Sequence, residues 1–474
     1  MLFWLFIAAW IATGMVSAGH AIIYKRDPRS AAIWLFVSFV FPILGPWAYW
    51  GFGINRIERK AMKLRGRRAR AFSVESRAAS RPPGLSEDEL IGHLRPLRNI
   101  ADRVTRLPMV GGNKLTPLHN GEQLYPEMLA AIASAEKNVT LESYIFDWDD
   151  TGRRFAQALG EVARRGVKVH VLLDGIGAVG AVSRIGRMLL KSGAVVAAFF
   201  PLGLPFGRFR INLRNHRKIL VVDGKIGFTG GMNITSKHYV TGGKHNRIED
   251  LHFKVEGPVV AQLQEAFVED WYLAKDEALT DDEYFPEVTP CGDALCRAII
   301  SGPDENLEKI HWILLGALAS AQRSVRIVTP YFVPTPTLTN AMVMAALRGV
   351  RITLVIPSVL DIPFVRWAMD AYLWQVLKYG ISVYRRPPPF THTKLMVVDE
   401  RWLLVGSANL DRRSFRLNFE FNVEGYDREL AGELSGWIDE LVRPLPPVTL
   451  EMVDSRSTLC RLRDGFVKLF SPHL

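Results

Sequence analysis

Two stretches of this sequence repeat the same reactive side chains in the same order. NHRKILVVDGKIGFTGGMN supplies His216, Lys218, Asp223 and Asn233, and THTKLMVVDERWLLVGSAN supplies His392, Lys394, Asp399 and Asn409. Each residue of the first set precedes its counterpart by 176 positions, as Gly230 precedes Gly406. One His-x-Lys-x-x-x-x-Asp could be an accident, but two with the same downstream Gly and Asn are far more specific. Residues two apart in a strand share a face, so His216 and Lys218 point together, as do His392 and Lys394. The apolar runs after each Lys anchor the strands in a core. Two such strands face to face would surround one point with two imidazoles, two ammonium groups and two amides. That is a receptacle for a phosphodiester. Lys218, Lys394, Asn233 and Asn409 would hold the non-bridging oxygens and stabilise developing charge. One imidazole could attack phosphorus, and the other could protonate the leaving alkoxide and then deprotonate the incoming hydroxyl. Asp223 and Asp399 could orient an imidazole or balance charge, and spacing alone leaves both roles open.

The elements that must position these groups also come in two copies. Residues 130–146 (AAIASAEKNVTLESYIF) resemble residues 316–332 (GALASAQRSVRIVTPYF), and residues 162–174 (VARRGVKVHVLLD) resemble residues 345–357 (AALRGVRITLVIP). Each copy reads as a helix, a Gly stop at Gly166 or Gly349, and a buried strand. The expected fold class is α/β: two similar domains, 110–290 and 291–474, packed as a pseudo-dimer. Ahead of them an anchor over 1–54 and a basic juxtamembrane segment and linker over 55–109 are expected, the linker marked by Pro82-Pro83-Gly84.

The anchor follows from charge. Residues 1–24 hold no Lys, Arg, Asp or Glu, and a second apolar run covers 31–54 after the break Lys25-Arg26-Asp27-Pro28-Arg29. The first run is long enough to cross a bilayer as a helix. The second carries Pro42 and Pro46, so it kinks or only dips into the bilayer. No basic region precedes the first run, which argues against a cleaved signal peptide. The dense basic cluster from Arg56 to Arg70 places the following residues in the cytoplasm, and two spans would put the N-terminus there as well. The net charge of +11 suits a polyanionic partner, either an anionic membrane surface or nucleic acid. Three cysteines, Cys291, Cys296 and Cys460, suggest neither a disulfide framework nor a zinc site. The histidines His216, His238, His245 and His252 match no usual ligand spacing, and nearby ammonium groups would repel a cation. No metal or other cofactor is called for.

The duplicated motif with its downstream Gly and Asn resembles the signature of the phospholipase D superfamily over nearly the whole chain. Several segments are similar to bacterial cardiolipin synthases in particular: the paired apolar runs, ESYIFDWDDTG (142–152), NHRKILVVDG (215–224), TPYFVPT (329–335) and GSANLDRRSFRLNFEFN (406–422). The resemblance implies one active site across two domains, with His216 as nucleophile and His392 as acid and base. It implies transfer of a phosphatidyl group between two phosphatidylglycerols at a multi-pass bacterial inner membrane, with the catalytic domains facing the cytoplasm. A tethered hydrolase or nuclease is the alternative, although no aromatic platform for bases is evident and no nucleic-acid partner is expected. Glu420 is a candidate contact to the acceptor, or a surface salt bridge. The apolar segment 199–214 is a candidate lip for the bilayer interface, with Phe200, Leu204, Phe206 and Phe209 inserted and Arg208, Arg210 and Arg214 at headgroups. The C-terminal stretch 461–474 is a second amphipathic candidate, with core packing the simpler reading.

Overall fold

The computed structural model describes residues 2–25, 28–53, 89, 91–105, 107–175, 178–199, 214–241, 246–303 and 308–469. The chain falls into two units, Met1–Leu64 and Arg65–Leu474.

In the first unit, Leu2–Tyr24 is one apolar helix, and its portion Phe3–Tyr24 is long and apolar enough to cross a membrane. The second apolar run behaves differently. Its helix Pro28–Val40 has 13 residues. At about 1.5 Å per residue it is roughly 20 Å long, short of a hydrocarbon core of about 30 Å. The chain then turns at Pro42 and Ile43 into the short helix Leu44–Ala48. Gly45 permits the turn, because a Cβ there would lie 2.0 Å from the carbonyl oxygen of Val37. Phe39 lies against Gly14 of the first helix. Further along, Tyr49 Oη meets His20 Nδ1 at 2.6 Å and Trp50 Nε1 donates to Ser17 Oγ at 3.0 Å. The run thus advances to the level of Gly14 and comes back to that of His20. Among the described residues only the first helix has the length of a span.

The second unit is built on one long sheet. Strands Val110–His119 and Ala294–Ser301 pair antiparallel at its centre. Outward from the first lie Leu251–Glu256, Ile226–Gly230, Ile219–Val222, Asn138–Ser143, Lys168–Asp174 and Val195–Phe199. Outward from the second lie Asn418–Tyr426, Trp402–Gly406, Leu395–Val398, Ser324–Val328, Arg351–Pro357 and Ser382–Arg386. The two halves repeat one order of elements, so the duplicated sequence folds as a duplicated α/β layer. Each motif's apolar run is a fully buried strand, Ile219–Val222 or Leu395–Val398. Burial of both faces explains why these strands read as continuous apolar runs without alternation. The basic cluster and Pro82-Pro83-Gly84 lie outside the described residues. The end of the expected linker is packed structure, since helix Arg95–Val104 places Leu97 and Ala101 in the core of the second half.

Both motif aspartates close the far end of their strands. Asp223 (φ 52°) accepts the backbone N–H groups of Glu136, Lys137 and Asn138 at 2.9, 2.7 and 2.9 Å. Asp399 (φ 54°) accepts those of Gln322, Arg323 and Ser324 at 2.9, 2.8 and 2.7 Å. Each lies five positions beyond its Lys, past a strand of 4 residues, about 16 Å away. Neither role considered from the sequence, orienting an imidazole or balancing charge at the site, fits this placement. These carboxylates tie the turn that precedes the neighbouring antiparallel strand to the end of the motif strand.

Burial alone would raise the Asp399 carboxyl, but the three N–H donors and His93 outweigh it and hold it below its ordinary value. A depressed folded pKa stabilises the protein above the ordinary carboxylate pKa, and that stability is lost as pH falls through the folded value. Asp399→Asn should therefore cost about 2–3 kcal/mol at pH 7 in urea unfolding. The difference should fade once the pH drops below the carboxylate range. Activity per folded molecule should stay within a few-fold of the parent.

Candidate active site

Each motif imidazole is held by the other half of the chain. The short strand Arg214–Asn215 pairs parallel with Asn418–Phe419, so that His216 N donates to Phe419 O at 2.9 Å. The short strand Phe390–Thr391 pairs parallel with Ile248–Glu249, so that His392 N donates to Glu249 O at 2.7 Å. The residue after each accepting carbonyl is a carboxylate aimed at the ring. Glu420 Oε2 lies 3.0 Å from His216 Nδ1, and Asp250 Oδ2 lies 2.8 Å from His392 Nδ1. The two imidazole side chains are 12% and 13% exposed, while both carboxylates are at 0%. Glu420 is therefore neither a surface salt bridge nor a group facing an acceptor: it positions His216.

Asp250 has no place in the motif and escaped the sequence reading. Strand register reveals it. Gly230 pairs with His252 and Gly406 with Asn422, which puts Asp250 and Glu420 at equivalent positions two residues earlier. The same register explains why GGMN follows one motif and GSAN the other. A Cβ on Gly231 would sit 2.4 Å from Asp250 Oδ1, whereas Ser407, its counterpart, hydrogen-bonds Glu420 through Oγ. Ser407 also offers its carbonyl to His216 Nδ1 at 3.1 Å.

The lysines sit beneath the rings. Lys218 Nζ donates to the His216 carbonyl at 2.6 Å, and Lys394 Nζ donates to the His392 carbonyl and lies 3.0 Å from His392 Nδ1. An ammonium has three donors, so each retains hydrogens for a ligand. Asn233 and Asn409 are buried at the ends of their loops; Asn233 Oδ1 accepts from Ile145 N at 3.2 Å, and Asn409 Oδ1 has no partner among the described residues. The extra arginines of RNHRK are structural. Arg217 donates to Asp270 at 2.6 Å and to Glu420 O at 3.2 Å, and Arg214 donates to Asp174 at 3.2 Å. Arg214 is 1% exposed, which removes it from the headgroup role in the expected lip. The remaining lip residues, 200–213, lie outside the described residues, as does His245. His238 and His252 are buried acceptors for the N–H groups of Asn233 and Met232, both at 3.3 Å. Burial lowers them to about 4 and about 3, so they stay neutral.

Burial dominates the electrostatics of the site. Burial, countered by Glu420 and reinforced by Lys218, lowers His216. Burial, Lys394, Lys218 and His216 together push His392 well down. Both ammonium groups act on both imidazoles, so the two halves share one charge environment at the site. Burial brings Lys218 down to about 7 and Lys394 to about 8. An anion entering between them would stabilise every protonated form. The arrangement can bind a phosphodiester, present a neutral imidazole to phosphorus and move a proton on a second imidazole.

Comparison with known proteins follows the same duplication. A family model described as a cardiolipin synthase, PLD-like domain matches residues 128–271 and again 314–442. The chain belongs to this family. Among relatives, cardiolipin synthase 1 of Staphylococcus epidermidis is 33% identical over 98% of this chain and 96% of its own length. Cardiolipin synthase A of Pseudomonas putida is 34% identical over 97% and 96%. A solved phosphatidylserine synthase from Haemophilus influenzae aligns with a TM-score of 0.64 at 14% identity, over 80% of this chain and all of that one, a likeness of fold. Both halves of the family's repeated domain are thus present, and each contributes a His, a Lys and a carboxylate to the site.

Because Glu420 raises His216, Glu420→Gln should lower the imidazole pKa further. The acid limb of the kcat/KM–pH profile should move to lower pH, and turnover should fall about 10²-fold through loss of ring orientation. An unmoved limb would separate Glu420 from His216.

Proposed function

We propose that the protein is a membrane-anchored phosphatidyltransferase that makes cardiolipin from two molecules of phosphatidylglycerol, through a phosphohistidine on His216. The single observation that carries the chemistry is the pair of imidazoles, each with a buried carboxylate at Nδ1, around two buried ammonium groups. The names of the relatives supply the substrate class.

The hydrogen-bond pattern favours His216 as nucleophile. Its Nδ1 faces only acceptors, the Ser407 carbonyl and Glu420, so the ring hydrogen sits there and Nε2 carries the lone pair. His392 Nδ1 faces both a donor, Lys394, and an acceptor, Asp250, so either ring nitrogen can hold the hydrogen, as a proton shuttle requires. Glu420 also stays below its ordinary pKa, because His216 and Ser407 outweigh burial, whereas burial raises Asp250. The firmer anion stands behind the imidazole that would become cationic.

In the first step Nε2 of His216 bonds to phosphorus and the bond to the glycerol headgroup oxygen breaks. That oxygen takes a proton from His392, and glycerol leaves. In the second step the terminal hydroxyl of another phosphatidylglycerol gives its proton to His392 and attacks phosphorus, and the P–N bond breaks. Lys218, Lys394, Asn233 and Asn409 hold the non-bridging oxygens throughout. No cofactor enters either step.

Helix Phe3–Tyr24 is the proposed span in a bacterial cell membrane. The returning second run brings the chain back toward the end of that helix at His20. With the basic cluster of residues 56–70 held in the cytoplasm, the N-terminus then faces the opposite side.

Purified protein with phosphatidylglycerol should yield cardiolipin and glycerol, and phosphatidic acid as the only product would indicate a hydrolase. Acid-quenched label from the phosphatidyl donor should remain on His392→Ala and be absent from His216→Ala. A cysteine inserted directly after Met1, ahead of the span, should react with an impermeant maleimide in spheroplasts while the exposed Cys291 stays protected. Protection of both would restore two spans.

A further inference from the structure

The last helix of the chain is apolar on the wrong side for a soluble domain. In Thr458–Lys468 the side chains that face the protein include Asp464 and Val467, and Asp464 is held by Arg456 at 2.6 Å and Arg463 at 2.8 Å. The outward stripe is Leu459, Leu462, Phe466 and, just beyond, Leu469, exposed by 80, 65, 62 and 73%. Their spacing of three and four residues keeps them on one face. A stripe this exposed costs free energy in water unless something covers it.

The stripe does not stand alone. The last helix packs on helix Pro363–Asp370, where the Arg463 guanidinium lies 4.4 Å over the ring of Trp367 and Phe364 meets Trp367 at 5.1 Å. Phe364 is exposed, as are Ile362 and Val359 in the loop before it. That loop borders the active site: Asp361 accepts from Tyr331 Oη at 2.7 Å, Tyr331 meets Phe390 at 6.3 Å, and Phe390 meets His392 at 5.8 Å. An exposed apolar band therefore runs from the mouth of the site to the C-terminal helix. Its charge is one-sided. Over residues 455–469, Arg456, Arg461, Arg463 and Lys468 stand against one acid, Asp464.

We propose that this band is a membrane-docking surface that seats the mouth of the active site in the interface of an anionic phospholipid bilayer. The occupant follows from the chemistry of the band. Leucine and phenylalanine enter the acyl boundary, and the exposed Arg461 and Arg463 meet lipid phosphates while Arg456 holds Asp464 on the inner face, the division found in interfacial helices. An anionic leaflet attracts such a cluster where a neutral one does not. The docking purpose rests on the proposed lipid substrate, since a site fed from a bilayer needs its mouth at headgroup depth.

The test uses the full chain, reconstituted by its own anchor. Leu462→Cys in a Cys291→Ser, Cys460→Ser background carries an environment-sensitive fluorophore; Glu429→Cys, on a different exposed helix, is the control. In vesicles of phosphatidylglycerol and bromo-acyl phosphatidylcholine, the probe at 462 should be quenched and the control spared, with weaker quenching when phosphatidylglycerol is absent. The triple variant Leu459→Ser, Leu462→Ser, Phe466→Ser should lose about tenfold of its turnover on long-chain vesicle lipid and keep its turnover on dispersed short-chain phosphatidylglycerol. Equal quenching at both sites, or equal loss on both substrates, would overturn the proposal. So would a probe shielded without lipid in a dimer that the triple variant dissolves, which would make the band an interface between copies. If the parent turns over neither substrate while the probe at 462 is still quenched, the functional reading fails and the docking surface stands.

Discussion

The constraint on which this molecule depends is the exchange of carboxylates between its halves. His216 comes from one half and its Glu420 from the other; His392 and Asp250 reverse the arrangement. Neither half holds a finished imidazole. The backbone bonds from His216 N to Phe419 O and from His392 N to Glu249 O fix the approach at one residue's remove from each carboxylate. Buried Arg217 extends the fixture, reaching Asp270 in its own half and the Glu420 carbonyl in the other. Breaking such a buried pair leaves an uncompensated charge, which makes the union of the halves hard to loosen. The long sheet with its antiparallel central pair is what holds the halves at that distance.

Much of this was legible in the sequence because the chemistry is concentrated in a short, duplicated word. His and Lys at alternate strand positions, followed by four apolar residues, specify both the reactive face and its anchor. The aspartates of the same word misled, since a strand of 4 residues carries them away from the rings, and hydrogen bonding to the turns before Asn138 and Ser324 is a tertiary fact. Asp250 was hidden for the opposite reason. It lies between the strands Ile248–Glu249 and Leu251–Glu256, whose sequence likeness to Asn418–Tyr426 is weak, and only the register at Gly230 and Gly406 aligns it with Glu420. Hydropathy found the second apolar run but could not see the close approach at Gly45 that turns it back. The C-terminal helix was amphipathic by sequence, yet which face is buried depends on Asp464 finding Arg456 and Arg463.

The electrostatics give the site its selectivity for an anion. Burial depresses both ammonium groups, with Lys394 adding to the effect on Lys218, and burial with both lysines lowers both imidazoles, so the pocket holds less positive charge than its residue count suggests. A phosphodiester restores that charge on arrival, because its own negative charge favours each protonated partner. Binding and proton placement then become one event. In the proposed mechanism the imidazole that donates a proton acquires it in the complex that needs it, and His216 keeps its hydrogen on Nδ1, away from phosphorus.

Transfer to a lipid hydroxyl in place of water requires more than a good nucleophile, since water is always at hand. In the proposed mechanism the charge of the phosphohistidine cation would be offset by a fully buried carboxylate, which would let the intermediate wait for an acceptor. The acceptor is itself a lipid, confined to the same layer as the donor. A site whose mouth sits at headgroup depth meets that acceptor at the concentration of the bilayer and meets water at reduced activity. The proposed docking band and the covalent step thus serve one end: the first sets which hydroxyl arrives, and the second holds the phosphatidyl group until it does.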